Sequence, residues 1–215
     1  MKAKKLFLAS ASPRRAEILR KLGFRIQIVA SLGPEARRSR ETPTHYVMRM
    51  AEEKARRASD KLRRGGLVVS ADTVVVAGKE VLGKPTDKKD AARMLKLLSG
   101  RTHRVISGVA LYNTEVDELR RGFETTEVTF AQMSSKEISW CIETGEPKGK
   151  AGAYAVQGLA SIFIKGIRGS YFNVMGLPLR RLYELSKDAG IDLHVYVKRQ
   201  DPPKAHHTRS PAPPR

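Results

Sequence analysis

The chain has 215 residues, with 41 Lys and Arg against 22 Asp and Glu, a net charge of +19 and 40% hydrophobic content. A globular chain of this length buries roughly 70% of its unfolded surface, so a core is available, and no run approaches the eighteen or so apolar residues that a membrane span needs. Cys141 is the single cysteine, which excludes an internal disulfide; the fold needs no oxidising compartment, and a cytoplasmic protein is expected.

Leu6–Ala9 reads as a first strand. The lysine-rich opening mimics a secretory signal, but its apolar stretch falls short of the roughly seven residues such a signal needs. A helix follows over Pro13–Leu22, with Ser12 as cap, Pro13 in its first position and Ile18, Leu19 and Leu22 as its apolar face. Arg14 and Arg15 are the anomaly, two cations at the positive end of a helix dipole, where anions are favoured. Either the turn is a solvated basic one, or a multiply charged anion such as a phosphate chain sits among those arginines and the free N–H groups of the helix start.

Arg25–Val29 makes a short strand, and a polar loop runs on through Pro43. A long helix capped near Thr42 or Thr44 carries Tyr46, Val47, Met50, Ala51, Lys54 and Ala58 at helical intervals and is expected to stop at Gly65 and Gly66. "LVVSADTVVVAG" is a strand of the buried type, interrupted by Ser70, Asp72 and Thr73. A hairpin-like "GKEVLGKP" leads to a helix over Asp87–Leu98. Residues 101–112 and 123–130 alternate as two strands joined by an acidic turn around Asn113–Glu118. Ser134 opens a helix to about Glu143, with Cys141 as a small core residue beside Ile138, Trp140 and Ile142. A glycine-rich connection, "TGEPKGKAGAYAVQG", precedes the strand "SIFIKGI", the turn "RGSYFNV" and a helix over Leu179–Lys187 opened by Pro178. Residues 1–197 thus read as one α/β domain, an elongated mixed sheet with flanking helices and two lobes around a cleft, and residues 198–215, with their five prolines, as a disordered basic tail.

The positive charge invites a nucleic-acid reading, but its distribution weakens that reading. Basic residues are spread over Arg37–Arg40, Arg56–Arg64, Lys88–Lys96, Arg120–Arg121 and Lys198–Arg215, without the aromatic interleaving that stacks single-stranded bases. Weak, salt-sensitive and non-specific contact with polyanions is the expectation.

Asp72 is the most informative residue. A carboxylate inside "VVSADTVVV" either caps or bends the strand, or faces a cation or a metal, because a buried unpaired carboxylate costs several kcal/mol. It is the first candidate for general base or metal ligand. "GKEVLGK", residues 78–84, matches half of a phosphate-binding P-loop, but Pro85 stands where the Mg²⁺-binding Ser or Thr belongs. No glycine pair has G-x-G spacing, so a dinucleotide fingerprint is absent too. Lys54, in "AEEKARRA", reads on its own as an exposed helix lysine, and Gln157, in "AYAVQG", as a loop amide or a contact for the edge of a base.

Taken in order, "LASASPRRAEILRKLG", "EKA", "SADTVV", "LGKP", "LLSGRTHRVISGV", "GKAGAYAVQG" and "GSYFNVMGLPL" resemble the Maf family of nucleoside triphosphate pyrophosphatases, over roughly residues 4–190. The resemblance implies an inosine-triphosphate pyrophosphatase-like fold with the nucleotide between two lobes, and cleavage of the α–β phosphoanhydride with a divalent cation, Mg²⁺ or Mn²⁺. It implies that Ser10, Arg14, Arg15, Lys54 and Lys84 hold the triphosphate and that Gln157 contacts the base. By the same resemblance Asp72 holds metal or activates water, and Glu35, the available acid of "SLGPEARRS", helps to hold the metal. Within the family this chain looks like the dTTP and UTP group, with modified pyrimidine nucleotides as further substrates, and a homodimer fits the family. The alternatives are the same chemistry on 7-methyl-GTP or another purine nucleotide, and a basic nucleic-acid-binding regulator of cell division.

Overall fold

Seven strands and six helices follow one another in the residues described, 4–62 and 65–198 of a computed structural model. They are β1 (Leu6–Ala9), α1 (Pro13–Lys21), β2 (Ile26–Ile28), α2 (Pro43–Ser59), β3 (Leu67–Ala77), β4 (Glu80–Leu82), α3 (Lys88–Leu98), β5 (Thr102–Asn113), β6 (Glu118–Phe130), α4 (Ser135–Glu143), β7 (Ile164–Arg168), α5 (Tyr171–Val174) and α6 (Leu179–Asp188). The strands form one mixed sheet in the order β2-β1-β3-β5-β6-β7, with β4 also paired to β3. β1 is parallel to β2 and β3, and every other pairing is antiparallel. The expected elongated mixed sheet with flanking helices is therefore present; the proposed tail lies almost wholly outside the described residues.

β3 is the axis of this sheet, and its period of two sorts the molecule into parts. Val68, Val74 and Val76 pack under α2 against Ala51, Ala55 and Met50, so Ser70 and Asp72 face the same helix. On the other face Val69 and Ala71 join α1 and α6 through Leu19 and Leu182, whereas Val75 and Ala77 join α3 and α4 through Leu95 and Cys141. Two apolar packs thus share one face of the sheet. The β3 residue between them is Thr73, which hydrogen-bonds its cross-strand partner Ser107 at 2.8 Å. These packs are the two lobes, and the polar pair marks where they part.

The sheet is also open at this point. β1 pairs with β3 as far as Ser70 and β4 pairs with it only from Val75 onward, so Ala71–Val74 have β5 on one side and no strand on the other. Gly108, the β5 partner of Asp72, lies under the α2 backbone, and a Cβ there would sit 2.3 Å from the Val47 carbonyl oxygen. Glycine lets α2 settle onto the sheet, which brings Lys54 down to Asp72.

Local chemistry explains most boundaries. Thr42 and Ser134 cap α2 and α4, the latter in a reciprocal capping box with Glu137. α2 ends at Ser59, ahead of the expected glycine stop, because the chain turns at Asp60. β6 begins at Glu118, five residues earlier than the alternation indicated, because a tight turn with Asp117 at φ 50° lets Glu118 pair with Asn113. Ser161–Phe163 are not strand: a 3-10 turn spans Leu159–Phe163 and β7 starts at Ile164. "RGSYFNV" contains the short helix α5, started by the Ser170 hydroxyl.

Candidate active site

A cleft of about 610 Å³ lies between the lobes, within the usual range for small-molecule sites. One wall is the turn Ala9–Arg15, the floor is Asp72 and Thr73, and the far wall is Lys84 with Lys148–Ala151 and Tyr154. Of the residues that the sequence singled out, Ser10, Arg14, Arg15, Glu35, Lys54, Asp72 and Lys84 all line it.

Lys54 and Asp72 form its buried centre, each 7% exposed. Side chains on a helix lean toward its N-terminus, so Lys54 reaches back along α2 toward the middle of β3. Its Nζ lies 2.6 Å from Asp72 Oδ1 and 2.8 Å from Glu35 Oε1. Lys54 is therefore no surface lysine. One ammonium joins two carboxylates, and the second oxygen of Asp72 carries no hydrogen bond to a described residue.

Glu35 owes its place to α2. Tyr46 donates from its hydroxyl to the Glu35 carbonyl at 2.7 Å, Arg49 donates to the Ala36 carbonyl, and Arg49 is itself held by Glu41 at 2.7 Å. Burial pushes the Glu35 carboxyl up, but the hydrogen bond and charge of Lys54, with Lys84 and Arg15 beyond, outweigh it and hold the pKa below the usual carboxylate range.

The two arginines divide. Arg15 is spent on the protein: Nε donates to the Gly176 carbonyl at 2.7 Å, Nη1 to Ser10 Oγ at 3.0 Å and to the Ala71 carbonyl at 2.8 Å, and Nη2 to Thr73 Oγ1 at 3.0 Å. That occupies four of its five N–H groups and ties down both neighbours of Asp72. One of these acceptors, the Ala71 carbonyl, lies on the open edge of β3, where no strand satisfies it. Arg14 makes no hydrogen bond or ion pair with a described residue, and the backbone N–H groups of Arg14 and Arg15 are free, whereas Ser12 N–H donates to Ser10 Oγ and Ala16 N–H to the Ser12 carbonyl. Desolvation pulls the Arg14 guanidinium below its ordinary pKa, against the opposing pull of Glu146. Lys84 is mostly exposed, 3.9 Å from Glu35 Oε2.

Gln157 is not brought to the cleft. The loop around it closes on the Glu146 carboxylate, which accepts from the N–H groups of Ala155, Leu159 and Ala160, and Gln157 is left exposed. Glu146, Lys148, Lys150 and Tyr154 were not singled out from the sequence. The only signal for them was the density of charge in "GEPKGKAG", which reads equally well as a solvated turn.

Beneath the far wall, His103 Nε2 lies 2.8 Å from the Tyr154 hydroxyl, and the His103 ring stands edge-on to Phe130 and Tyr154. Desolvation lowers the His103 pKa from 6.5 to about 4. The unfolded chain therefore binds the extra proton between those values. The stabilisation is complete above pH 6.5 and is lost as pH falls toward 4. Between pH 7.5 and 5, His103 is expected to account for about 2 kcal/mol of lost unfolding free energy, measured by urea denaturation. His103→Phe should flatten that part of the slope; an unchanged slope would show that other groups cause it.

Fold and cleft together define a mixed α/β protein with basic side chains around a buried carboxylate between two lobes. Residues 5–189 match the Maf-like protein family, and the chain belongs to it. The dTTP/UTP pyrophosphatase of Koribacter versatilis (strain Ellin345) is 47% identical over 186 residues, 86% of this chain and 95% of its own. That of Syntrophus aciditrophicus (strain SB) is 46% identical over 190 residues, 88% of this chain and 92% of its own. Among solved structures, the Staphylococcus aureus Ham1 protein aligns with a TM-score of 0.48 at 12% identity, over 86% of this chain and 100% of that one.

Proposed function

We propose that this chain is a dTTP/UTP pyrophosphatase of the cytoplasm, hydrolysing the nucleoside triphosphate to the monophosphate and pyrophosphate. The observation that carries the reading is the Asp72–Lys54–Glu35 cluster at the floor of a basic cleft, in a chain 40–47% identical to proteins named dTTP/UTP pyrophosphatases. Water adds to one phosphorus of the α–β anhydride, the bridging oxygen leaves with the other fragment, and the proton of the water passes to the free oxygen of Asp72. Lys54 holds the other Asp72 oxygen at 2.6 Å, which leaves the free one to face the water. Arg14, Lys84 and the N–H groups at the start of α1 hold the phosphates.

The donor set suits a hard divalent cation. Asp72 and Glu35 both reach one ammonium nitrogen, so their oxygens converge, and a Mg²⁺ ion is commonly held by one or two carboxylates with phosphate oxygens and water supplying the rest. Such an ion, Mg²⁺ or Mn²⁺, would neutralise phosphate charge.

The pyrimidine preference rests on the relatives, since Gln157 is exposed and is not among the residues that line the cleft. A panel of dTTP, UTP, CTP, GTP, 7-methyl-GTP and ATP, assayed for initial rate with Mg²⁺ and with Mn²⁺, tests it. Rates led by dTTP and UTP are expected; rates led by a purine nucleotide would overturn the preference.

A further inference from the structure

Resting on the proposed function, we propose that Lys150 is a second-wall ligand for the polyphosphate, facing Arg14 across the cleft.

A nucleoside triphosphate brings about four negative charges. Lys54 is committed to Asp72 and Glu35, and Arg15 to four protein acceptors. Arg14 and Lys84 are left, beside a divalent cation that arrives with the nucleotide, and each stands on a different wall. Lys148 and Lys150 also line the cleft, and of these Lys150 is the one whose ammonium is held by a hydrogen bond. Its ammonium donates to the Glu146 carbonyl, which leaves two of its three N–H groups without a described partner. Its loop is fixed to the far wall: Gly152 donates its N–H to the Gly83 carbonyl at 3.0 Å, next to Lys84, and packs against Val75, where a Cβ would sit 2.8 Å from the side chain. Lys84 and Lys150 therefore stand on one wall and Arg14 on the other. Desolvation and the charge of Arg14 both lower the Lys150 pKa, with Glu146 opposing, so the two cations share one electrostatic environment. An anion between them relieves that repulsion, and it draws together two walls that otherwise repel.

The probe is inorganic tripolyphosphate, bound to the full chain in a calorimeter at two salt concentrations. Lys150→Gln removes the charge while keeping a donor for the Glu146 carbonyl. It should weaken tripolyphosphate about tenfold, reduce the salt dependence of binding and raise KM for dTTP with kcat nearly unchanged. Lys150→Arg should restore most of the affinity. Wild-type affinity in Lys150→Gln at an unchanged melting temperature would overturn the proposal and leave Lys150 as a pin for its own loop. If Lys150→Gln melts early, Lys150→Arg decides: a stable, charge-retaining variant that has lost the affinity also overturns it. Wild-type protein that binds tripolyphosphate through Lys150 but turns over no nucleotide would sink the enzymatic reading alone. Wild-type protein that binds no tripolyphosphate would sink the anion site.

Discussion

Asp72→Asn is expected to reduce kcat for dTTP by about a thousandfold while the protein folds and still binds the nucleotide. Amide and carboxylate have the same shape, so the β3–β5 pairing at Gly108 and the packing of α2 are undisturbed. The amide cannot accept a proton at neutral pH, and general-base catalysis contributes roughly 10² to 10⁴ in rate. Lys54 keeps Glu35 as a partner at 2.8 Å, so the substitution does not strand a buried ammonium, which is the usual cause of collapse when one member of a buried pair is removed. The check is a pair of measurements on one preparation, steady-state kinetics and a melting curve. A variant that melts like wild type and retains more than about a tenth of the rate would remove Asp72 from the proton transfer.

Arg15→Lys separates a brace from a phosphate ligand. An ammonium cannot span the Gly176 carbonyl, the Ala71 carbonyl, Ser10 Oγ and Thr73 Oγ1, which the guanidinium fork reaches at 2.7 to 3.0 Å. Acceptors left bare beside the open edge of β3 are expected to lower stability by roughly 2 to 4 kcal/mol. Loss of a hold on both neighbours of Asp72 should lower kcat about a hundredfold, because a misplacement near 1 Å costs that much. KM should move little. Arg14→Met should show the reverse pattern, a large rise in KM with kcat nearly kept. If Arg15→Lys raises KM and spares kcat, Arg15 grips phosphate and the division between the two arginines is wrong.

Periodicity carried much of this architecture, because buried strands and amphipathic helices advertise themselves by spacing. The long apolar run of β3 marked the axis of the sheet, and the charge inside it marked Asp72. What spacing could not show was partnership. Lys54 occupies the same helical face as Met50, Ala51 and Ala58, yet the charge-rich "AEEKARRA" around it reads as an exposed surface, and only the descent of α2 onto Gly108 turns it toward Asp72. Arg15 was hidden for a similar reason. Four of its acceptors lie on the chain at residues 10, 71, 73 and 176, and no local pattern links them. The resemblance says nothing of how the Gln157 loop is held, on the Glu146 carboxylate that accepts from Ala155, Leu159 and Ala160, with the glutamine exposed. The 3-10 turn before β7 was missed because "SIF" has strand-like residues, and tertiary packing of Ala160 and Phe163 overrode that preference.

The most direct measurement is the identity of the products from dTTP, resolved by ³¹P magnetic resonance as the reaction proceeds with Mg²⁺. The account predicts dTMP and pyrophosphate in equal amounts, with no thymidine diphosphate at any time. Thymidine diphosphate and inorganic phosphate would place the cleavage at the wrong bond, and intact dTTP after prolonged incubation with folded protein would contradict the assignment of the cleft as a pyrophosphatase site.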